Sequence, residues 1–431
     1  MGERSGRTVI GSKLRRARLI ALALGWAPAG LAMAETASEP APLLRGVEIV
    51  AATPLPGAGV DPDKLPAVVA SLSSDDFVRT RSLAVTDALE QRIAGLSLSD
   101  TQGNAFTKDV NFRGFQASPL QGTPQGLAVY MNGVRLNEAF GDTVNWDLIP
   151  EVAIARADLF TSNPVFGLNA LGGAVSLHTK TGFDSPGGQA SVQGGSFGGV
   201  YGSAAYGAVR GPWAVYVAAD GGRDDGWRLQ SPSKVARAYA DIGWKGERSE
   251  VHLFAAGEVN DFGVVGPTPV DLLNADRRAV YTYPQTTANH AGLVALNDVF
   301  KASETWSIQA NLYLRRFNQH HVDGNDGDLE GCDDPMSGLC VESDGFPDAV
   351  RPPAAAFQVL GLDNQPIACP SSGCDGVPYG TVDRTRINTL TWGGSVQATS
   401  SGRVLGRSNV FAVGASLEHS RVRFSADAPW G

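Results

Sequence analysis

The sequence predicts a β-rich protein in two parts, an α+β domain followed by the antiparallel strands of a transmembrane β-barrel. Three observations support this fold class. Segments from about residue 187 onward alternate between apolar and polar side chains, the connections between them alternate between short and long, and residues 57–185 mix helix and strand signals. The 431 residues carry 35 basic and 44 acidic side chains, and the formal charge of -9 excludes a basic nucleic-acid-binding protein.

Residues 1–34 have the three parts of an export signal. Basic residues precede the apolar run Leu19 to Ala27, and Ala32-Met33-Ala34 offers a cleavage site built from small residues. An amphipathic amino-terminal helix is the structural alternative, but Pro28 and Gly30 would break it. We therefore expect an exported protein.

Residues 186–431 contain nine segments that alternate with period two, and Trp306 to Arg315 shows the pattern clearly. Its apolar side chains share one face and its polar side chains share the other. The same alternation would fit a soluble β-sandwich. The connections favour a barrel, because tight turns and long external loops alternate in outer-membrane barrels. The short ones lie at 210–212, 246–249, 301–304 and 400–407, and the long ones at 223–235, 259–287 and 318–384.

Aromatic residues near the strand ends are expected to form the interfacial girdles of such a barrel, because amphipathic rings favour the level of the lipid headgroups. These residues are Trp213, Trp244, Trp306, Tyr313, Phe317 and Trp392.

The α+β domain contains a helix and a hairpin that the pattern defines well. Ser82 to Arg92 has the apolar stripe of a short amphipathic helix. Leu127 to Met131 and Val134 to Leu136 bracket Asn132-Gly133, a pair that favours the positive φ angles of a tight hairpin turn.

Three motifs in this domain resemble the plug domain of TonB-dependent outer-membrane receptors. They run from Asp109 to Phe115, from Val129 to Val134 and from Phe166 to Lys180. In that family a plug fills a barrel of about 22 strands. The resemblance implies that residues 57–185 are the plug and that residues 186–431 are about nine strands of an incomplete barrel. The plug-motif residues are Arg113, Gly114, Gly133, Gly167, Gly172 and Gly173.

Two roles are expected for these motif residues. Glycines at 167, 172 and 173 allow tight bends and close approach of the plug backbone to the barrel wall. By resemblance, Arg113 faces carboxylates of the barrel and forms an ion pair between plug and wall. An ordinary turn and an ordinary surface charge are the alternatives.

Residues 35–56 connect the signal to the plug. They contain the peptide Val47, Glu48, Ile49, Val50 and Ala51, which by position and character is similar to the TonB box of the family. A TonB box adds as a β-strand to the periplasmic protein TonB, so that backbone hydrogen bonds supply most of the affinity. The alternative is a first strand of the plug.

The resemblance implies TonB-dependent active transport across the outer membrane of a Gram-negative bacterium, where outer-membrane lipid surrounds the barrel. A small-molecule ligand would bind between external loops and plug, and TonB with its inner-membrane energy-coupling complex would open the plug. A ferric siderophore is the favoured ligand; haem, cobalamin, another nutrient and a non-transporting fragment are the alternatives. No cofactor and no enzymatic step are expected, and the sequence has no Walker motif for nucleotide hydrolysis.

The segment 318–384 is rich in acidic residues, histidine and cysteine. A solvated acidic loop is favoured over a metal site, because the spacing does not fit a calcium-binding loop. The residues of this segment whose side chains are of metal-ligating type are His320, His321, Asp323, Asp326, Asp328, Glu330, Asp333 and Asp334. The spacings Cys332 to Cys340 and Cys369 to Cys374 suggest two local disulfides, although three pairings are possible and a zinc site is the alternative.

The chain reaches Gly431 after nine strands and without an aromatic carboxy-terminal strand. Each unpaired backbone group in hydrocarbon would cost several kcal/mol. We therefore expect an incomplete receptor, either a gene fragment or a partial sequence.

Overall fold

The structure is a computed structural model that describes residues 53–55, 69–80, 84–161, 164–327, 329–332, 338–341, 358–359, 365–369 and 379–427. The predicted signal, the peptide Val47 to Ala51 and Cys374 lie outside these residues.

The first part is a mixed α+β domain, called the plug below. A five-stranded sheet of order β1-β7-β8-β5-β6 contains one parallel pair, β5 with β8, and a second sheet has the order β2-β3-β4. The elements are β1 Val69–Ser73, α1 Ser74–Thr80, α2 Val85–Arg92, β2 Leu96–Ser99, β3 Asp109–Phe112, β4 Phe115–Ala117, β5 Leu127–Met131, β6 Val134–Arg135, β7 Ile154–Phe160 and β8 Gly173–Thr179. Short 3-10 turns cover Trp146–Leu148, Glu151–Ala153 and Pro164–Phe166.

The hairpin and the helix of the plug follow the sequence prediction. Asn132 and Gly133 have φ angles of 48° and 87°, so both turn residues are left-handed as a two-residue hairpin requires. Helix α2 begins at Val85, three residues later than expected, and buries Val85, Ala88 and Leu89 completely. Helix α1 was not predicted, because its seven residues carry too short an apolar stripe and bury only Phe77.

The second part is one antiparallel sheet of nine strands, called the wall below, as the sequence predicts. Each strand pairs with its sequence neighbours, and the outermost strands do not pair with each other in the described part of the chain. The strands are β9 Gly187–Gly194, β10 Val200–Arg210, β11 Trp213–Asp224, β12 Ser233–Lys245, β13 Ser249–Gly263, β14 Gln285–Lys301, β15 Trp306–Gly327, β18 Tyr379–Ser400 and β21 Phe411–Asp427. The connections add β16 Leu329–Gly331, β17 Leu339–Val341, β19 Arg403–Val404, β20 Arg407–Ser408 and α3 Val270–Ala275.

The wall connections alternate in length as expected, but the longest one begins later than predicted. Residues 318–327 continue β15 and pair with 379–388 of β18, so that His320 lies opposite Arg386 in a ladder. His320, His321, Asp323 and Asp326 are therefore strand residues, because the ladder extends beyond the alternating apolar core of each strand. No group of three or more His, Cys, Asp or Glu residues that could hold a metal ion occurs among the described residues.

The wall has inverted amphipathicity. On β15, Gln309 and Asn311 are each 1% exposed and face the plug, whereas Leu312 is 64% exposed on the other face. Strand β12 repeats this arrangement, with buried Arg237 and Asp241 next to exposed Ile242, whereas the edge strands β9 and β21 bury no residue on either face. A water-soluble sandwich buries its apolar face and exposes its polar one. The wall does the opposite, as a lipid-facing barrel requires.

Within the described residues, no helix combines the length and the hydropathy that crossing a bilayer requires.

Three predicted girdle tryptophans gather at the short-turn end of the wall. Trp213 and Trp244 are cross-strand partners there, and Trp306 begins β15. Tyr313 and Phe317 were assigned to the girdle wrongly. Phe317 is 2% exposed, and both residues alternate with outward-facing neighbours, so that strand parity turns them inward.

An arginine on the outward face tests the membrane assignment. Leu312→Arg should reduce the free energy of unfolding in lipid vesicles by about 2–4 kcal/mol, because an unpaired guanidinium near the bilayer centre loses its hydration. Urea titration followed by tryptophan fluorescence measures the change. The control Glu304→Arg, at an exposed turn residue outside the strands, should have little effect. Equal stability of Leu312→Arg and wild type would show that this face meets water.

Candidate functional site: the plug–wall interface

The plug contacts the wall through polar groups and through an apolar cluster that includes Tyr239, Phe254 and Leu293 of the wall. The plug segment 136–148, which follows β6 and ends with the 3-10 turn Trp146–Leu148, presents Glu138, Asp147 and several backbone carbonyls. The wall presents buried arginines and asparagines from the inward faces of β12 to β15. Strand parity places them there, since each alternates with an apolar residue that faces outward.

Arg315 on β15 binds the plug chain directly. Its Nη2 donates a 2.9 Å hydrogen bond to the carbonyl of Asn137, and its Nη1 donates to the carbonyl of Leu136. Its Nη1 also lies 3.4 Å from Oε1 of Glu138, and both side chains are at most 5% exposed. Burial raises the pKa of Glu138, and the Arg315 charge opposes that rise. One guanidinium therefore holds two carbonyls and one carboxyl group of the plug.

Arg237 on β12 forms a second buried contact. Its Nε lies 2.6 Å from Oδ1 of Asp220 on β11, and both side chains are fully buried. Its Nη2 donates a 2.7 Å hydrogen bond to the hydroxyl of Tyr201, and its Nη1 lies 3.4 Å from the carbonyl oxygen of Asp147. The wall thus neutralises its own aspartate and reaches the plug with the same guanidinium.

Asp147 is the plug carboxyl group that lies deepest in this interface. Nδ2 of Asn289 donates to its Oδ2 at 3.2 Å, and Asn260 donates to the same oxygen. Burial raises the pKa of Asp147, while the Asn289 hydrogen bond and the nearby Arg237 charge lower it. Oδ1 of Asp147 and Oε2 of Glu258 have no hydrogen-bond partner among the described protein atoms. Two buried carboxyl oxygens of this interface are therefore left without a protein donor, and Nδ2 of Asn311 is left without an acceptor among the described atoms.

Contacts at two other heights along the wall strands also join the plug to the wall. Nearer the short-turn end of the wall, Nδ2 of Asn297 donates to the carbonyl of Asn132 at 2.9 Å. Toward the long-loop end, Nδ2 of Asn104 donates to Ser233 Oγ at 2.7 Å, and Phe106 stacks on Phe262 with ring centroids 5.6 Å apart. The plug is held at three heights, by hydrogen bonds and by apolar contacts.

The structure places Arg113 in an exposed turn of the plug. It lies in the β3–β4 turn with φ 53°, its side chain is exposed, and its guanidinium stacks over the Phe112 ring at 5.0 Å. In the described part of the chain it forms no ion pair with a wall carboxylate. The observed ion pair has the opposite polarity, with the arginine Arg315 on the wall and the acid Glu138 on the plug. Arg315 was visible in the sequence as a charge on the polar face of a strand, but its plug partner was not.

The motif glycines make close contacts within the plug rather than with the wall. A Cβ at Gly172 would lie 2.2 Å from Cγ of Phe115, and one at Gly173 would lie 2.4 Å from the carbonyl oxygen of Phe160. Gly167, with φ +70°, and Gly114, with φ +90°, face open space. Gly133 alone of the predicted glycines has a wall atom nearby, since its Cβ would lie 3.7 Å from Nδ2 of Asn311.

A disulfide joins Cys332 to Cys340 across β16 and β17, with Cα atoms 5.0 Å apart. Cys369 is also disulfide-bonded.

The residues from Gly194 to Gly198 match the G-x-S-x-G sequence motif of a hydrolase nucleophile turn. Ser196 lies in the connection between β9 and β10, and no helix follows it. The strand-turn-helix context that exposes such a serine is therefore missing at this site.

Comparison with known proteins agrees with this architecture. Residues 61–174 match the TonB-dependent Receptor Plug Domain family. Residues 61–174 thus form a domain of the plug family, and the fold of the chain is similar to the plug and part of the barrel of TonB-dependent receptors. No curated protein sequence matches it significantly.

Solved receptors with the same fold are distant in sequence. BauA, the ferric preacinetobactin receptor of Acinetobacter baumannii, has a TM-score of 0.59 at 11% identity over 86% of this chain and 49% of its own. FpvA of Pseudomonas aeruginosa bound to pyoverdine has a TM-score of 0.59 at 13% identity over 87% and 50%. The closed form of Fiu, a ferric-catecholate import receptor of E. coli, has a TM-score of 0.52 at 14% identity over 89% and 65%. The chain thus spans about half the length of the first two receptors.

The Arg237–Asp220 pair should contribute strongly to wall stability. Arg237→Leu should cost about 3–5 kcal/mol, because it leaves the Asp220 charge buried and unpaired. Adding Asp220→Leu to that variant should recover much of the loss, since no charge then remains. Urea unfolding in lipid vesicles measures both. Arg278→Leu, which breaks the exposed Arg278–Asp276 pair in an external loop, serves as the control and should change little. Equal loss in the single and double variants would contradict this assignment.

Arg315 should restrain the plug segment that it binds. Arg315→Ala should accelerate hydrogen exchange at the amides of Leu136 and Glu138 by roughly tenfold or more, because charge-assisted hydrogen bonds contribute about 1.5–3 kcal/mol. Exchange followed by mass spectrometry of this segment tests it. The control Arg316→Ala removes the neighbouring arginine, which faces away from the plug. Unchanged exchange in Arg315→Ala would show that other contacts hold the segment.

Proposed function

We propose that this protein is an outer-membrane receptor of a Gram-negative bacterium that imports a ferric siderophore with energy supplied through TonB. The plug-family match and the inverted wall support this proposal. The similar solved structures include receptors for ferric preacinetobactin and for pyoverdine. Their shared class of ligand favours a ferric siderophore over haem or cobalamin.

The polar contacts between plug and wall, which lie beside an apolar cluster shared by both, carry the proposal. A transport gate must close the lumen and also move. An apolar interface would hold the plug by about 25 cal/mol per Å² of buried surface, and water could not replace that contact. Hydrogen bonds from Arg315, Asn297 and Asn104 are different, because water can replace each of them when the plug moves. A cavity of about 30 Å³ beside Glu258 and Arg315 already has room for a water molecule.

The topology of the plug gives TonB a mechanical route. Strand β1 is the first plug strand, and it lies at the edge of the five-stranded sheet, paired with β7 alone. A force applied to the residues before β1 would therefore act first on the hydrogen bonds between β1 and β7. Ser71 on β1 donates a 2.6 Å hydrogen bond to Asp158 on β7, and Arg156 lies 2.7 Å from the same carboxylate. These contacts would yield before the central strands β8 and β5.

In this mechanism ligand binds at the long-loop end, where the plug loop around Asn104 and Phe106 meets the wall. TonB then pairs with Val47 to Ala51 as an added strand. Force peels β1 from the sheet, water enters the polar interface, and the ligand passes. No covalent bond is made or broken.

The TonB-box proposal predicts a backbone effect that is independent of side-chain chemistry. Ile49→Pro should abolish energy-dependent uptake, because proline removes an N–H donor and clashes with a paired strand. Ligand binding to whole cells should stay unchanged. The matched variant Ile49→Val keeps the donor and should transport normally. Radiolabelled ferric siderophore uptake, with and without a proton uncoupler, measures both.

Normal uptake in Ile49→Pro would place the TonB contact elsewhere. Absence of energy-dependent uptake in the wild type for every ferric siderophore tried, together with uptake of haem or cobalamin, would overturn the assigned ligand class.

A further inference from the structure

An arginine patch lies on the outward face of the wall, where β15, β18 and β21 approach the long-loop end. It consists of Arg316, Arg421 and Arg423. Leu390 is 44% exposed between buried Thr389 and Thr391, which defines the outward face at this position. Arg316 and Arg421 are the two cross-strand partners of Leu390, so they share that face.

The three arginines surround one cavity. Arg316, Leu390 and Arg421 lie side by side across the three strands. Asn318, Asn388 and Arg423 form a second set of cross-strand partners two residues further along each strand. The cavity has a volume of about 220 Å³ and is lined by Arg316, Asn318, Asn388, Thr389, Leu390, Arg421 and Arg423. Two strand spacings separate Arg316 from Arg421, which is about 10 Å between Cα atoms. Oδ1 of Asn318 is buried there without a hydrogen-bond partner among the described atoms.

The positive charge of the patch is not neutralised by the protein. None of its three arginines forms an ion pair in the described residues, whereas neighbouring Arg384 lies 3.6 Å from Asp427. The other carboxylate of this region, Glu418, accepts a hydrogen bond from Tyr313 on the inward side. Three guanidinium groups on one small surface repel one another, so the patch is complementary to an anion.

The position of the patch identifies the surroundings of that anion. Outward-facing Leu312, Leu314 and Val396 form the apolar band, and the patch begins one outward position beyond Leu314. Arginine on a lipid-facing surface is strongly destabilising at the bilayer midplane and is tolerated near the membrane–water interface. The patch therefore lies at the headgroup level. Long loops of outer-membrane barrels are external, which places it at the outer leaflet.

We propose that the arginine patch binds the phosphate groups of lipid A, the phosphorylated glucosamine disaccharide of the outer leaflet. Each guanidinium can donate two parallel hydrogen bonds to phosphate oxygens, a geometry that lysine cannot offer. Asn318 and Asn388 line the same cavity, where their polar side chains are suited to the sugar hydroxyls. This inference rests on the proposed outer-membrane location, but it does not depend on TonB or on the transported ligand.

Purified protein in detergent micelles tests the site directly. Native mass spectrometry measures binding of bis-phosphorylated lipid A and of the same lipid after dephosphorylation. The variant Arg316→Gln/Arg421→Gln/Arg423→Gln should bind lipid A at least tenfold more weakly than wild type. The single variant Arg421→Gln should show a smaller loss. The control Arg210→Gln/Arg248→Gln/Arg403→Gln removes three exposed arginines at the short-turn end and should bind as wild type does.

Each outcome decides the proposal. Selective loss in the patch variants, together with weak binding of dephosphorylated lipid, supports it. Equal affinity of wild type and the patch variant overturns it, and so does an equal loss in the control variant, which would indicate a general charge effect. Displacement of lipid A by an equimolar concentration of inorganic phosphate would also overturn it, since the site would then be a free-phosphate site. Lipid A binding is measured without any transported ligand. A failure of the transport proposal would therefore not change the lipid-binding result, and the two proposals can fail separately.

Discussion

The structure depends on one constraint, which is that the wall exposes its apolar face and must satisfy its polar face internally. Strands β11, β12 and β15, for example, present the buried groups Asp220, Arg237 and Gln309 to the inside. A buried charge without a partner is costly. The plug satisfies part of this requirement, because its carbonyls and carboxyl groups supply acceptors for the wall donors. Plug and wall are therefore complementary in their polar groups, and they also share a buried apolar cluster that includes Phe254 and Leu293 of the wall.

The same constraint explains how a tightly seated plug remains movable. The main apolar cluster lies around Trp146, Phe112 and Leu89 of the plug and extends to wall residues such as Phe254 and Leu293. The other contacts with the wall are hydrogen bonds and ion pairs, whose polar groups can be hydrated when the plug moves. An edge strand β1 and a polar seat together allow local opening without unfolding of the buried plug centre.

Much of this architecture was readable from local patterns. Alternation predicted the nine strands, Asn132-Gly133 predicted the turn, and three motifs predicted the plug. Local patterns failed where contacts with other parts of the structure decide the orientation of a side chain or the presence of a helix. Phe317 looked like a girdle residue, but its parity with buried Arg315 turns it inward. Helix α1 is too short to be predicted from its own hydrophobic pattern. Burial of Phe77 and packing against α2 hold it in place.

The sequence by itself determined the order and approximate position of the nine wall strands, their apolar face and the segment that forms the plug, because these follow from periods of two or from short motifs. Only the tertiary structure decided that Arg315 binds Leu136 and Asn137, that Arg237 reaches Asp147, and that Arg113 does neither. These partners lie 90 to 179 residues apart in the chain. Their meeting depends on the height at which the plug sits in the wall, and no local pattern encodes that height.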